Sequence, residues 1–175
     1  AFLTAGVELR FKLVSDTVKI SLLSELDILN EIEIYYGSFN SGLKYEVDNG
    51  LIEITVNKSD ILKPYFDKEV DYYTPFSSAV VRIVLPAGKF KFVSIEGETE
   101  LPQSYEMPKH KIAFVGGEVL GDNKVNPSSS TLNIVSQKLD CDYYNLTFDY
   151  ANLDLGEISS YVASLDYDTL GLECG

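Results

Sequence analysis

The chain has 175 residues, enough for one large or two small domains, and 45% of them are hydrophobic, which predicts a packed core. A formal net charge of −13 disfavours binding to nucleic acid and to anionic membrane surfaces, and the acidic residues are spread along the chain as on solvated faces. No apolar run reaches the ~20 residues that span a bilayer, so we expect no membrane insertion. The first six residues contain no basic segment, so no signal peptide is predicted and the compartment stays open.

The first hundred residues have the alternating apolar and polar pattern of short, half-buried strands. The Asp48-Asn49-Gly50 segment is a strong signal for a tight hairpin between the strands on either side of it. The absence of a clear helical pattern indicates an antiparallel β-sandwich, of jelly-roll type, over residues 1–103. The predicted strands span residues 7–13, 18–22, 32–36, 43–47, 52–56, 80–85 and 89–95.

The pattern changes after Pro102 and Pro108. A continuous apolar run at 112–115 is typical of a strand buried on both faces. Further strands are predicted at 143–146 and 169–174, and helices fit the spacing of the apolar residues between them. The first helix would be capped within Ser128 to Ser130 and the second would carry Ile158, Tyr161, Val162 and Leu165. This βαβαβ order predicts a partial, flavodoxin-like parallel unit over residues 104–175, and so a mixed β and α/β fold.

Three segments resemble the sequence blocks of the SGNH (GDSL-type) hydrolases. Residues 112–121, Ile-Ala-Phe-Val-Gly-Gly-Glu-Val-Leu-Gly, are similar to the first block, in which a buried strand runs into Gly-Asp-Ser and the serine is the nucleophile. Residues 145–150 resemble the second block, often Asn-Leu-Gly-Phe-Ser-Gly, and residues 170–175 resemble the strand leading to the third. Residues 5–11 resemble a strand of the jelly-roll domain that precedes the catalytic domain in some members, including certain carbohydrate esterases.

The same resemblance implies a degenerate site. Glu118 stands at the position of the nucleophilic serine, Gly117 at that of the preceding aspartate, and Tyr150 at that of the second-block glycine. The third-block asparagine would fall just beyond Gly175, and the Asp-x-x-His that supplies the base would lie further on. His110 precedes the first parallel strand, the wrong place for that base. We therefore predict no catalytic residues in this truncated domain.

Glu118 and Asp149 are candidate ligand-binding residues. Glu118 follows the first parallel strand, where open α/β sheets bind ligands, and its carboxylate suits a cation or a sugar hydroxyl. The alternative is a solvated carboxylate in a decayed site. Asp149, Asp154 and Glu157 offer further oxygen ligands, but their spacing matches no calcium loop, so we predict no metal and no cofactor.

Tyrosine is abundant, with 12 residues that include the pairs Tyr35-Tyr36, Tyr72-Tyr73 and Tyr143-Tyr144. Tyr72 and Tyr73 are candidates for stacking on sugar rings. The alternative is that the tyrosines fill the strand-rich core, because tyrosine is a common strand residue.

The two cysteines, Cys141 and Cys174, fall at opposite ends of non-adjacent strands if the first parallel strand is central, so they are too far apart for a disulfide. Three functional hypotheses remain. The leading one is a non-catalytic SGNH-hydrolase-like protein that binds carbohydrate or acts as a scaffold. The alternatives are the N-terminal portion of a longer carbohydrate esterase or GDSL-type hydrolase, and an assembly protein that forms homo-oligomers. The partners expected are a glycan or a second copy of the chain.

Overall fold

A computed structural model of the protein describes residues 6–25, 30–61, 75–117, 126–147 and 155–173. The α-helices whose bounds fall within these ranges are α1 (Thr131–Lys138) and α2 (Leu155–Ser164), and residues 58–61 are also helical. Short 3-10 turns span Ser104–Glu106 and Pro127–Ser129. The strands are β1 (Val7–Leu13), β2 (Thr17–Ser24), β3 (Asn30–Tyr36), β4 (Phe39–Val47), β5 (Gly50–Asn57), β6 (Val80–Leu85), β7 (Phe90–Glu96), β8 (Thr99–Glu100), β9 (Lys111–Gly116), β10 (Asp142–Thr147) and β11 (Thr169–Leu172).

Strands β1 to β8 form two antiparallel sheets that enclose one apolar core. The larger sheet has the order β4-β3-β6-β1-β8 and the smaller has the order β5-β2-β7. Alternate residues of both sheets face the core, as the period-2 pattern predicts. Among the most buried are Ile20 on β2, Ile34 on β3, Ile54 on β5 and Ile83 on β6. The predicted antiparallel β-rich part is therefore present.

The predicted hairpin at Asp48-Asn49-Gly50 is wrong. β4 pairs with β3, whereas β5 pairs with β2, so the chain crosses here from one sheet to the other. Val47 and Ile52 enter the same core from opposite sheets, and that burial outweighs the local preference for a hairpin. The Tyr45 hydroxyl ties the two strands together, because it donates to the Thr55 carbonyl at 2.9 Å and accepts from the Thr55 N–H at 3.2 Å.

The second part of the chain is a parallel three-stranded sheet with the order β10-β9-β11. Helix α1 connects β9 to β10 and α2 connects β10 to β11, which gives the predicted βαβαβ order. Ala113, Leu146 and Val162 form its small core. The Ser130 hydroxyl caps α1 by accepting from the Asn133 N–H at 3.3 Å, as predicted. No helix within the described ranges is long and apolar enough to span a membrane.

Candidate functional site

The carboxyl ends of β9, β10 and β11 meet at one edge, because the three strands are parallel. Glu173 follows β11, and its N–H donates to the Val115 carbonyl at 3.0 Å. Its carboxylate accepts from the Gly117 N–H, just after β9, at 2.6 Å. On β10 the Thr147 hydroxyl donates to the Asn145 side chain at 2.6 Å. The described part of this edge therefore holds a carboxylate, the backbone N–H of Gly117 and two polar side chains.

The Glu173 carboxylate sets the chemistry of the described part of this edge. A carboxylate accepts hydrogen bonds from hydroxyl groups and attracts cations, but it opposes the negative charge that develops on an oxyanion. It also occupies the Gly117 N–H, a group that would otherwise be available to a ligand. Among the described residues no group of three or more His, Cys, Asp or Glu side chains is arranged to hold a metal ion.

A network of charged side chains joins the sandwich to the parallel sheet. The Glu8 carboxylate accepts from Arg82 at 2.8 Å and from Arg10 at 2.7 Å. Arg10 also donates to Asp142, the first residue of β10, at 2.6 Å. The Glu8 and Arg82 side chains are only 3% and 5% exposed. These ion pairs therefore connect β6 and β1 of the sandwich to β10 of the parallel sheet.

The electrostatics of this network favour the charged forms. Burial by itself raises the pKa of Glu8, but Arg82 and Arg10 outweigh it and lower the pKa to about 2. Burial likewise lowers the pKa of Arg10, yet Glu8 and Asp142 raise it above its ordinary value. The Phe76 ring lies 4.0 Å from the Arg82 guanidinium and 5.0 Å from that of Arg10, within range of cation–π attraction. Paired charges of this kind tolerate burial, whereas single ones do not.

A second buried carboxylate, Glu33, holds the start of α1. It accepts from the Ser128 N–H at 2.9 Å and from the Ser128 hydroxyl at 2.7 Å. The Tyr35 hydroxyl donates to it at 3.3 Å. Ser128 lies in the 3-10 turn that leads into α1, so β3 positions the segment between β9 and that helix.

No family profile and no curated protein sequence matches the chain, but solved structures do. The salicylyl-acyltransferase SsfX3 from a tetracycline biosynthetic pathway matches with a TM-score of 0.72 and 15% identity over 99% of this chain and 49% of that one. The acetyl xylan esterase Est2A from the rumen bacterium Butyrivibrio proteoclasticus gives 0.57 and 14% over 99% and 57%.

A family two carbohydrate esterase from Clostridium thermocellum, solved with cellohexaose, gives a TM-score of 0.51 and 12% identity over 85% of this chain and 46% of that one. The chain shares the fold of these enzymes. It spans about half the length of the structures that it matches. At these identities the likeness concerns the fold alone.

The structure describes some of the predicted site residues but not others. Gly117 lies at the carboxyl edge of the parallel sheet and is buried. His110 lies before β9, at the opposite end of that strand, with Nδ1 3.7 Å from the Asp168 carboxylate. Tyr36 lies in the core of the sandwich, which confirms core filling for this residue. Tyr35 is buried on the opposite face of the larger sheet, beside Glu33 and Arg82. Glu118, Asp149, Tyr150, Tyr72 and Tyr73 lie outside the described residues, as do Asp154 and Cys174, and the Glu157 side chain is not described either.

The sequence analysis missed Glu173. The pattern that identified Glu118, a carboxylate directly after a strand of the parallel sheet, also applies to Glu173. The expectation that the acidic residues lie on solvated faces is wrong for Glu8, which is nearly inaccessible, and for Glu33, which is fully buried. Both project from the outer face of the larger sheet, which the α/β part covers. The alternation of apolar and polar residues in a strand does not show whether another part of the chain buries that outer face.

We expect the substitution Glu33→Leu to lower the free energy of unfolding by about 2–3 kcal/mol, because it leaves the Ser128 N–H and hydroxyl without their acceptor. Glu31→Leu is the matched control on the same strand, since Glu31 forms an exposed pair with Lys44 and should change stability by less than about 1 kcal/mol. Urea unfolding followed by circular dichroism measures both values. Equal effects of the two substitutions would show that the Ser128 contacts contribute little.

Proposed function

We propose that this chain is the N-terminal portion of a longer esterase-type protein of the SGNH (GDSL-type) superfamily. In this proposal residues 1–103 form a jelly-roll-type domain and residues 104–175 form the first part of a flavodoxin-like hydrolase domain. The observation that carries it is the match of 99% of this chain to 49% of an acyltransferase in a single superposition. Support also comes from the three SGNH-like segments, which begin on β9, β10 and β11, whose carboxyl ends share one edge.

The ligand that we propose is a carbohydrate or its ester. Two of the matched proteins are a family two carbohydrate esterase, solved with cellohexaose, and an acetyl xylan esterase. The carboxylate of Glu173 suits the hydroxyl groups of such a ligand at the carboxyl edge. Glu118, Asp149, Tyr72 and Tyr73 are further candidate contacts, from their positions in the sequence.

The intact mass of the protein in its native source tests the first part of this proposal. We expect a mass well above the 19.5 kDa of these residues, because the matched enzymes are about twice as long. Mass spectrometry of the protein captured by an antibody against residues 75–117 provides the measurement. A mass near 19.5 kDa would contradict the proposal that the chain is part of a longer hydrolase.

A second candidate function is carbohydrate binding without catalysis. Two observations favour it: Glu118 stands where the resemblance places the nucleophilic serine, and the Glu173 carboxylate occupies the Gly117 N–H. Both carboxylates oppose an oxyanion intermediate.

Turnover of p-nitrophenyl acetate by the protein from its native source separates the two candidates. Turnover above buffer supports the hydrolase. Its absence, together with calorimetric binding of cellohexaose that Glu173→Gln weakens, supports the non-catalytic binding protein. Glu25→Gln is a suitable control for the binding measurement, because Glu25 pairs with Lys91 on the sandwich rather than at the carboxyl edge.

A further inference from the structure

The edge strand β7 exposes apolar side chains that point toward the core. Phe92 lies opposite Leu22, and Ile95 lies opposite Ile20. Leu22 and Ile20 are each 1% exposed, so both members of each pair face the inside of the sandwich. Phe92 and Ile95 are nevertheless 53% and 39% exposed. The part of the chain that the structure describes therefore leaves the sandwich uncovered along this edge.

The backbone of β7 is also available for pairing. In the described part of the chain β7 pairs with β2 and with no other strand. The Glu25 N–H donates to the Lys89 carbonyl at 3.0 Å, so the alternation of an antiparallel ladder directs the backbone groups of Phe92 away from β2. The opposite edge of the same sheet, on β5, differs, because the Tyr45 hydroxyl already binds the backbone of Thr55 there.

A β-bulge gives β7 a self-complementary pattern. The register shift opposite Ser21 and Leu22 makes Val93 an extra residue, so Val93 and Ser94 both follow the core-facing Phe92 before the core-facing Ile95. In a regular antiparallel strand, core-facing residues lie opposite each other only when the two-fold axis passes through a residue. Because Val93 is an extra residue, an axis between Val93 and Ser94 also places core-facing Phe92 opposite core-facing Ile95. An axis through Lys91 would place Phe90 opposite Phe92 instead, but it would also set Lys91 against its own copy.

We propose that two copies of this chain associate through antiparallel pairing of their β7 strands about that axis. Phe92 then lies opposite Ile95 of the second copy, and the two small sheets become one continuous sheet. Lys91 lies opposite Glu96 of the second copy, and the symmetry repeats this pairing of opposite charges. The four apolar side chains shield one another from water at the junction.

Charge is the reason to favour a second copy over an unrelated strand. Bulges and lysines usually protect an edge strand from pairing, and a net charge of −13 on each copy opposes association. In the proposed register the local charges attract each other, because each Lys91 lies opposite a Glu96 of the other copy. Lys91 is 64% exposed and lies 3.3 Å from Glu25 of its own chain, so it is accessible to the second copy. The inference is independent of the proposed function.

Sedimentation equilibrium of the full-length protein tests this dimer. We expect a monomer–dimer equilibrium below about 1 mM, the concentration that corresponds to a weak but specific association. Lys91→Glu and Glu96→Lys should each raise the dissociation constant roughly tenfold, because two attractive pairs become repulsive. The double variant Lys91→Glu/Glu96→Lys should restore the wild-type value, a result that this register alone predicts.

Two further variants separate this interface from general effects. Phe92→Asp should abolish the dimer, whereas Leu51→Asp, at a 61% exposed position on β5, should leave it unchanged. Glu25→Gln should also leave it unchanged, although it removes the intrachain partner of Lys91. A protein that stays monomeric up to about 1 mM overturns the proposal. A dimer insensitive to Phe92→Asp, or one that the double charge reversal fails to restore, overturns it as well.

Discussion

Replacement of Arg82 by methionine should lower the free energy of unfolding by about 3–5 kcal/mol, the usual effect of removing one partner from a buried ion pair. Arg82 donates to Glu8 and, at 3.1 Å, to the Gly37 carbonyl, and it stacks on Phe76. The substitution leaves the Glu8 carboxylate with Arg10 as its remaining cation in a site that is nearly inaccessible to water. Equilibrium unfolding in urea measures the change.

The control for Arg82→Met is Asp166→Asn, which removes an ion pair at the surface. Asp166 lies 2.8 Å from Lys111 but is 92% exposed, so this substitution should change stability by less than about 1 kcal/mol. The double variant Glu8→Gln/Arg82→Met should be less destabilised than the sum of the single variants, because it removes both charges of the pair. Additive effects would show that Glu8 and Arg82 do not interact in solution.

Acid should weaken the same network through Glu8. Its pKa is about 2 in the folded chain and 4.5 for the free side chain. The stabilisation is therefore present above pH 4.5 and is lost as the pH falls from 4.5 to 2. A difference of this size corresponds to roughly 3 kcal/mol.

Unfolding curves at intervals from pH 6 to pH 2 measure this acid effect, and the variant Glu8→Gln isolates it. The variant should be less stable than the wild-type protein at neutral pH, and this difference in stability should shrink as the pH falls from 4.5 to 2. Asp166→Asn again provides the control, since an exposed pair should leave the slope almost unchanged. A constant difference between Glu8→Gln and the wild-type protein across this range would contradict the assignment.

The same charged contacts hold the α/β part of the chain against the sandwich. Glu8 and Arg10 connect the sandwich to Asp142 at the start of β10, and Glu33 connects it to Ser128 before α1. The α/β part is therefore fixed to the larger sheet on both sides of α1, at Ser128 before the helix and at Asp142 after it. We expect this arrangement to hold the carboxyl edge, with its Glu173 carboxylate, in a defined position relative to the sandwich.

The sequence by itself determined most of the individual elements. Strands such as β2 can be predicted from strict alternation, because apolar residues such as Ile20 are buried while the residues on either side stay at least partly exposed. Helix α1 follows from the Ser130 cap and the spacing of its apolar residues. The parallel sheet follows from the order of short apolar runs and helical segments, because parallel strands need crossover connections. All of these signals act between residues that are close in the sequence.

Only the tertiary structure decided which elements pair and which faces are covered. The Asn49-Gly50 turn has the local chemistry of a hairpin, yet β4 and β5 belong to different sheets because their apolar faces close over one core. The outer face of β1 looks like a solvated face in the sequence, but Asp142, more than a hundred positions away, pairs with Arg10 there. The Gly117–Glu173 contact likewise depends on the order of the strands. Long-range contacts of this kind depend on shape and charge complementarity between surfaces that form only once the chain has folded, so no local pattern records them.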